Sequence, residues 1–285
     1  MPNMSGKGLF YTESSPSLSD EELNALMIAM KNRYGLDFTN YEKSSLKRGV
    51  SRLMMKHKMS SLLELWSKIL NDKNFFMLAI DDLLVNLTEL FRNPDVWLFV
   101  RDNMLDQIKS RPIKIWHAGC STGEEVYTMA IILEEKGMLW TNQTYATDLS
   151  NKALLAARKG DYSHTILSQY LKPFLSFYPD KKLEDFFDYK DKHATIKPQY
   201  TRHINFQKHN LVHDPVIDQF DLVFCRNVMI YFDEKLKQLV LDLLFNSLKI
   251  GGFLVLGYYD MMPEYGKSLF QLVDVKTRVY QKIAK

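Results

Sequence analysis

The sequence predicts an α/β protein, a small all-helical N-terminal domain followed by a parallel-sheet domain. Three observations predict it. Stretches of helical period fill the chain through Leu84. From Pro112 onward, short apolar runs alternate with amphipathic helices, as in a parallel sheet with crossover helices. A glycine turn then joins the first of those runs to a helix.

The elements follow in order. Residues 1–17 are rich in Ser, Gly and Pro and lack periodicity, so they read as a tail. Ser19 and Glu22 form an S-x-x-E capping box, Leu23, Leu26, Met27 and Met30 repeat at helical spacing, and Gly35 is a stop. A second helix from about Asn40 to Lys58 has an apolar stripe of Leu46, Val50, Leu53 and Met54. It also carries Lys43, Lys47, Arg48, Arg52, Lys56 and Lys58, a basic face that suits either water or an acidic partner. Ser60 to Leu70 and Phe75 to Leu84 read as further helices, giving a helical domain over 18–84 and a segment over 85–111 that links the domains and contacts a bound cofactor. In the domain over 112–285, strands are expected at Ile113–His117, Gln143–Thr147, Phe220–Cys225, Gly252–Gly257 and Phe270–Gln281. The last two should close the sheet as a hairpin. An irregular stretch rich in Tyr, Phe, Lys and Asp lies between the second and third.

Bulk properties bound the function. The 285 residues exceed one ordinary domain, and 46% hydrophobic with 25% charged residues supply a core and exclude disorder throughout. A formal charge of +3 gives no reason to expect a nucleic-acid coat. Cys120 and Cys225 are distant in sequence, and Met1 to Leu9 has no charged start followed by an apolar core. A reducing cytoplasm without a signal peptide is expected. No apolar run approaches the roughly 18 residues of a membrane span, so a membrane could only be visited.

Ligand chemistry concentrates at the strand ends. In Ala118-Gly119-Cys120-Ser121-Thr122-Gly123-Glu124-Glu125, glycines permit close approach and a helix N-terminus offers free N–H groups. The spacing is G-x-x-x-G and two glutamates follow, so a pyrophosphate is disfavoured. Glu124 suits an ammonium, such as that of S-adenosylmethionine; the alternative is a structural turn. Asp148 ends the next strand where nucleoside-binding α/β folds hold a ribose, or it caps the following helix. Arg226, Asn227 and Tyr231 leave the buried strand at its carboxyl end, where open α/β sheets bind ligands. Seven histidines are scattered; His203 and His209 make no ligand set with the cysteines, so no metal is expected.

Asn86-Leu87-Thr88-Glu89-Leu90-Phe91-Arg92, Ser121-Thr122-Gly123-Glu124-Glu125 and Cys225-Arg226-Asn227-Val228-Met229-Ile230-Tyr231-Phe232 closely resemble the chemotaxis receptor glutamate methyltransferases, the CheR family, in order and spacing. The resemblance spans about residues 18–283. It implies a Rossmann-like class I methyltransferase domain that uses S-adenosylmethionine and releases S-adenosylhomocysteine. A small antiparallel β-subdomain would be inserted over about 161–206. By the resemblance, Asn86, Thr88, Arg92, Ala118, Glu124, Asp148, Asn210, Leu211, Arg226 and Asn227 form the cofactor site, with Arg92 and Tyr231 at the point of transfer. The acceptor would be glutamate side chains of the receptors' cytoplasmic helices; the basic face of the second helix, through Lys47, Arg48, Arg52 and Lys56, is the expected contact for them, and a monomer is the default expectation. Two departures bear on the acceptor. Many members carry Gly-His-Ser-Glu where this chain has Gly257-Tyr258-Tyr259-Asp260, and Phe186 to Asp191 lacks the glycine-rich loop associated with docking a receptor's C-terminal pentapeptide. Independence of that tether is therefore expected. The alternatives are another carboxylate acceptor on the same fold, or a catalytically silent cofactor-binding module.

Overall fold

The computed structural model describes residues 18–83 and 87–283. The expected tail over 1–17 and the candidate Asn86 lie outside them. Two compact units divide the chain: Lys43–Leu83 with the residues up to Thr39, and Asn40–Glu42 with the chain beyond Leu83.

The first unit is helical: α1 Asp20–Tyr34, α2 Lys43–Lys56, α3 Leu62–Asn71 and α4 Lys73–Leu83. Local chemistry sets its limits. Ser19 and Glu22 close the capping box over the α1 amides, and Gly35 ends the helix at φ 76°. Ser61 caps α3 by accepting from the Glu64 amide at 3.2 Å. The apolar stripes of α1 and α2 are buried as their spacing predicts. A Cβ on Gly49 of α2 would lie 2.9 Å from the Leu83 carbonyl oxygen, so only glycine lets α2 meet α4 here. Contrary to expectation, α2 does not begin at Asn40. Tyr41 instead bridges antiparallel to Phe232, and Glu42 donates to the Tyr231 carbonyl at 2.8 Å, which requires an extended backbone.

In the second unit, α5 Pro94–Phe99 precedes strands β1 Ile113–Ala118 and β2 Asn142–Asp148, which flank α6 Glu124–Glu135. After α7 Asn151–Lys159 come β3 Asp161–Ser163, α8 His164–Phe177, β4 Phe187–Lys190, β5 His193–Ile196 and β6 Ile204–Lys208. The chain ends with β7 Phe220–Cys225, α9 Glu234–Asn246, β8 Leu248–Leu256, β9 Phe270–Asp274 and β10 Val279–Lys282. The large sheet runs β6-β2-β1-β7-β8-β10-β9, and its first five strands are parallel. Every residue of β7 is buried, as a central parallel strand with helices on both faces requires. Ile115, Leu222 and Phe224 pack in one core with residues of α5, α6 and α8, while Trp116, Val223 and Cys225 pack in a second with those of α9.

Three expectations are corrected. Residues 87–111 do more than link: Val96, Trp97, Val100, Met104 and Leu105 lie on helical turns and are fully buried. The small antiparallel sheet expected over about 161–206 is present as β3-β5-β4, with α8 beside it, but its C-terminal bound is corrected, because Ile204–Lys208 belongs to the large sheet, paired parallel with β2. Phe270 to Gln281 is two strands, because Asp274 accepts from the Thr277 amide and hydroxyl, both at 2.7 Å, and Arg278 adopts φ 56°. The closing hairpin is thus β9–β10, with β10 antiparallel to β8.

Candidate active site

The order β6-β2-β1-β7 brings four carboxyl ends side by side, where chain leaves for Asn210, Asp148, Gly119 and Arg226. The turn after β1 folds back on β2, with the Gly119 and Cys120 amides both 2.8 Å from the Thr147 carbonyl. Gly119 at φ 84° would set a Cβ 2.6 Å from Val228 Cγ2, so any side chain would push the β7 loop away. Ser121 also sits in the left-handed region, at φ 50°.

Asp148 is buried and ties this turn down. One carboxylate oxygen accepts from the Ser121 amide at 2.8 Å and the other from the Ser150 amide at 2.9 Å. It is not the cap of α7; Ser150 is, accepting from the Ala153 amide at 3.0 Å. The chain after β6 is drawn alongside, since the His209 amide reaches the Asp148 carbonyl at 3.2 Å. Asn210 there forms a local turn, its Oδ1 accepting from the Val212 amide at 3.0 Å.

Glu124 opens α6 and is only 2% exposed. Thr122 donates to one oxygen at 2.7 Å and Tyr170 to the other at 2.9 Å, and Glu124 joins no ion pair among the described residues. Burial pushes its carboxyl above the ordinary range, against the pull of those hydroxyls. The Tyr170 hydroxyl also reaches the Thr88 carbonyl at 3.3 Å, so α8 joins two candidate segments distant in sequence.

Arg92 is half-buried, donates to the Leu87 carbonyl at 3.1 Å, and pairs with no carboxylate among the described residues. Its neighbours Phe91 and Asn93 are both left-handed, at φ 54° and 58°, which asparagine adopts readily but which is rare for a residue as bulky as Phe91. After β7, Asn227 is left-handed too, at φ 59°, and Tyr231 is half-buried on a 3-10 turn. Asp260 anchors that loop. It is 1% exposed and accepts from the amides of Asn227, Gly257 and Ile230. Burial raises its pKa in spite of those donors. The Tyr258 hydroxyl donates to Asp95.

Sequence reasoning singled out Asp260 only as a departure bearing on the acceptor, not as a loop anchor, and it missed Tyr170 and a buried group beneath the site. There the Arg226 guanidinium meets Glu125 at 3.1 Å, and His117 Nδ1 meets the other Glu125 oxygen at 2.9 Å. Burial pulls Glu125 upward, but the His117 hydrogen bond and the Arg226 charge outweigh it and leave its pKa lowered. Only the Asp260 interaction had a sequence signal, the departure at Gly257-Tyr258-Tyr259-Asp260. Cys120 and Cys225 are free and buried, and burial pushes both thiols up.

The basic candidates lie in the helical unit and are engaged within it. Lys47 pairs with Asp20 and Lys56 with Asp82, each at 2.6 Å, while Arg52 donates to the Asp82 carbonyl and Arg48 to Ser44.

The family model for CheR methyltransferase, SAM binding domain, matches residues 86–279, and that for its all-alpha domain matches 21–84. A putative methyltransferase, Cher3, of Pseudomonas putida is 35% identical over 84% of this chain and 88% of its own length. Chemotaxis protein methyltransferase 1 of Vibrio cholerae is 31% identical over 85% of this chain and 89% of its own. An uncharacterized 104.1 kDa protein of Rhodobacter capsulatus is 26% identical over 87% of this chain, which spans only 26% of that protein. With both family models in register on the two units, the chain belongs to the CheR methyltransferase family and its cofactor is S-adenosylmethionine.

Proposed function

We propose that the protein methylates glutamate side chains of chemotaxis receptors, giving glutamate methyl esters and S-adenosylhomocysteine. The observation that carries this reading is Arg92, a half-buried guanidinium without an acid partner among the described residues, on a segment fixed at the strand ends. A cation so held suits an anionic acceptor. Receptors are favoured because the Vibrio cholerae relative is named a chemotaxis protein methyltransferase. The site would be cytoplasmic, visiting membrane receptors; among the described residues no helix is long and apolar enough to cross a membrane.

The residues fit the cofactor. Glu124 is a buried acid whose hydrogen-bond partners are two neutral hydroxyls, and Ser121 Oγ and Asn227 Oδ1 are buried without hydrogen-bond partners. Such groups await a polar ligand. Glu124 would hold the methionine ammonium and Asp148 the ribose, while Thr88, Ala118, Asn210, Leu211 and Asn227 complete the pocket. Asn86 belongs to the same assignment. Arg226 would contribute through its backbone, because its guanidinium is taken up by Glu125 and the Arg92 segment.

The cofactor, when bound, supplies an electrophilic methyl group. The chain supplies position. A glutamate acceptor, with a pKa of about 4.3, is already anionic at neutral pH, so no general base is needed. Arg92 presents a planar fork to the carboxylate and Tyr231 would hydrogen-bond beside it, turning one oxygen toward the methyl. Too firm a grip would blunt the nucleophile, so orientation is the larger part of the Arg92 role. The Tyr258–Asp95 link and the exposed Tyr259 also fit a different carboxylate acceptor.

The test is transfer of radiolabelled methyl to the cytoplasmic fragment of a chemoreceptor. Label released by mild alkali is the expected result. No label from a sample that binds S-adenosylhomocysteine in calorimetry would move the acceptor elsewhere.

A further inference from the structure

We propose that Arg226 is a positioning residue for methyl transfer: its buried guanidinium grips the backbone of Arg92 and thereby aims the Arg92 side chain at the acceptor. The inference rests on the transfer role given to Arg92 above.

Arg226 has 1% of its side chain exposed, too little to meet an acceptor. One guanidinium nitrogen donates to the Arg92 carbonyl at 2.8 Å and to Asn93 Oδ1 at 2.9 Å. The other faces Glu125, whose far oxygen meets His117. His117 is fully buried and stacks on Phe224 at 4.8 Å and 2°. The base of the grip therefore lies in β1, α6 and β7, at the buried centre of the unit. The Trp97 indole, with the guanidinium 5.3 Å from its ring centre, donates to the same Arg92 carbonyl at 3.1 Å. That carbonyl lies between two left-handed residues, Phe91 and Asn93, and for the bulky Phe91 such a backbone persists only where the surroundings impose it. Arg226 and Trp97 hold it at the Arg92 carbonyl, and Thr128 Oγ1 accepts from the Phe91 amide at 3.0 Å on its other side. A lysine at 226 would keep the charge but has no planar fork to serve Glu125, Asn93 and the carbonyl together.

Arg226→Lys tests this in two ways. In NMR hydrogen exchange, the Trp97 indole N–H and the amides of residues 90–93 should exchange about tenfold faster, while β1 and β7 keep their protection. Transfer to the chemoreceptor fragment at saturating cofactor should fall on the order of a hundredfold with S-adenosylhomocysteine affinity unchanged. In an Arg92→Ala background the same change should cost nothing further, because the two residues act as one unit. Unaltered exchange at Trp97 and 90–93, multiplicative losses, or cofactor affinity falling in step with transfer would each overturn the proposal. An Arg92→Ala variant that transfers normally, or a wild type that does not label the fragment, would instead sink the transfer-site or acceptor reading, and the exchange result would still decide whether Arg226 holds the segment. Should Arg226→Lys not fold, Asn93→Gly keeps the left-handed backbone and deletes one acceptor. Faster indole exchange is again expected, and unchanged exchange counts against the grip.

Discussion

Glu124 is costly to the folded chain before any ligand arrives. Burial disfavours its charged form, so its folded pKa lies above the ordinary value of 4.5. A group raised in this way contributes its stability at pH below its unfolded value, and loses it as pH rises through the folded value. Glu124→Gln should therefore raise the melting temperature of the cofactor-free protein at pH 8, with the gain shrinking as pH falls toward the usual carboxylate range. Both hydroxyl partners can rotate to serve an amide. The same change should weaken S-adenosylhomocysteine by about 10- to 150-fold, the worth of a charged hydrogen bond of about 1.5–3 kcal/mol. Calorimetry beside a pH series of melts separates the two effects, and unchanged affinity would remove Glu124 from the ammonium role. At this scale the sequence was informative where one motif carried the chemistry: the glycine turn, Asp148 and the β7 exit all lie at one sheet end. It was silent on Tyr170 and His117, whose partners are 46 and 8 residues away and share no motif with them.

Elements were legible where a single periodicity ran between clean stops, as in α1 and β7. They were not where the pattern broke. In α8, Leu167, Tyr170, Phe174 and Phe177 form a buried helical stripe, but Pro173 inside it reads as a stop. Residues 94–107 pass from α-helix to π- and 3-10 turns, so no one period describes them. The loop after β7 is a different case, because it is held by a side chain from another strand's end. Asp260→Asn would set an NH2 group against amides that now donate to a carboxylate, leaving at least one buried donor without its acceptor. The expected loss is about 1–3 kcal/mol, read as a lower urea midpoint at unchanged slope. Wild-type stability would show that the three bonds do not anchor the loop.

We propose that charge, rather than a C-terminal tether, brings an acidic helical partner to the enzyme, since the β-subdomain carries no glycine-rich loop. Its β4–β5 turn passes through Asp191 at φ 52° with no glycine. The formal charge of +3 gives only weak overall attraction. The basic residues of α2 are concentrated on one short helix, and Lys47 and Lys56 already pair with Asp20 and Asp82. An open pair such as Lys47–Asp20 is worth about 0–1 kcal/mol, so exchanging it for a receptor carboxylate costs little. Screening should act on such contacts strongly, since the Debye length falls from about 10 Å at 0.1 M to about 3 Å at 1 M salt. The kcat/KM for a chemoreceptor fragment should therefore drop by roughly tenfold from low to high salt, chiefly through association. Lys47→Glu with Arg48→Glu should lower it at low salt and flatten that dependence, with S-adenosylhomocysteine binding unchanged. Deleting the receptor's C-terminal residues should leave it unaltered. A large drop on deletion, with little response to salt or to charge reversal, would mean that the tether recruits the enzyme and that the α2 charges face only water.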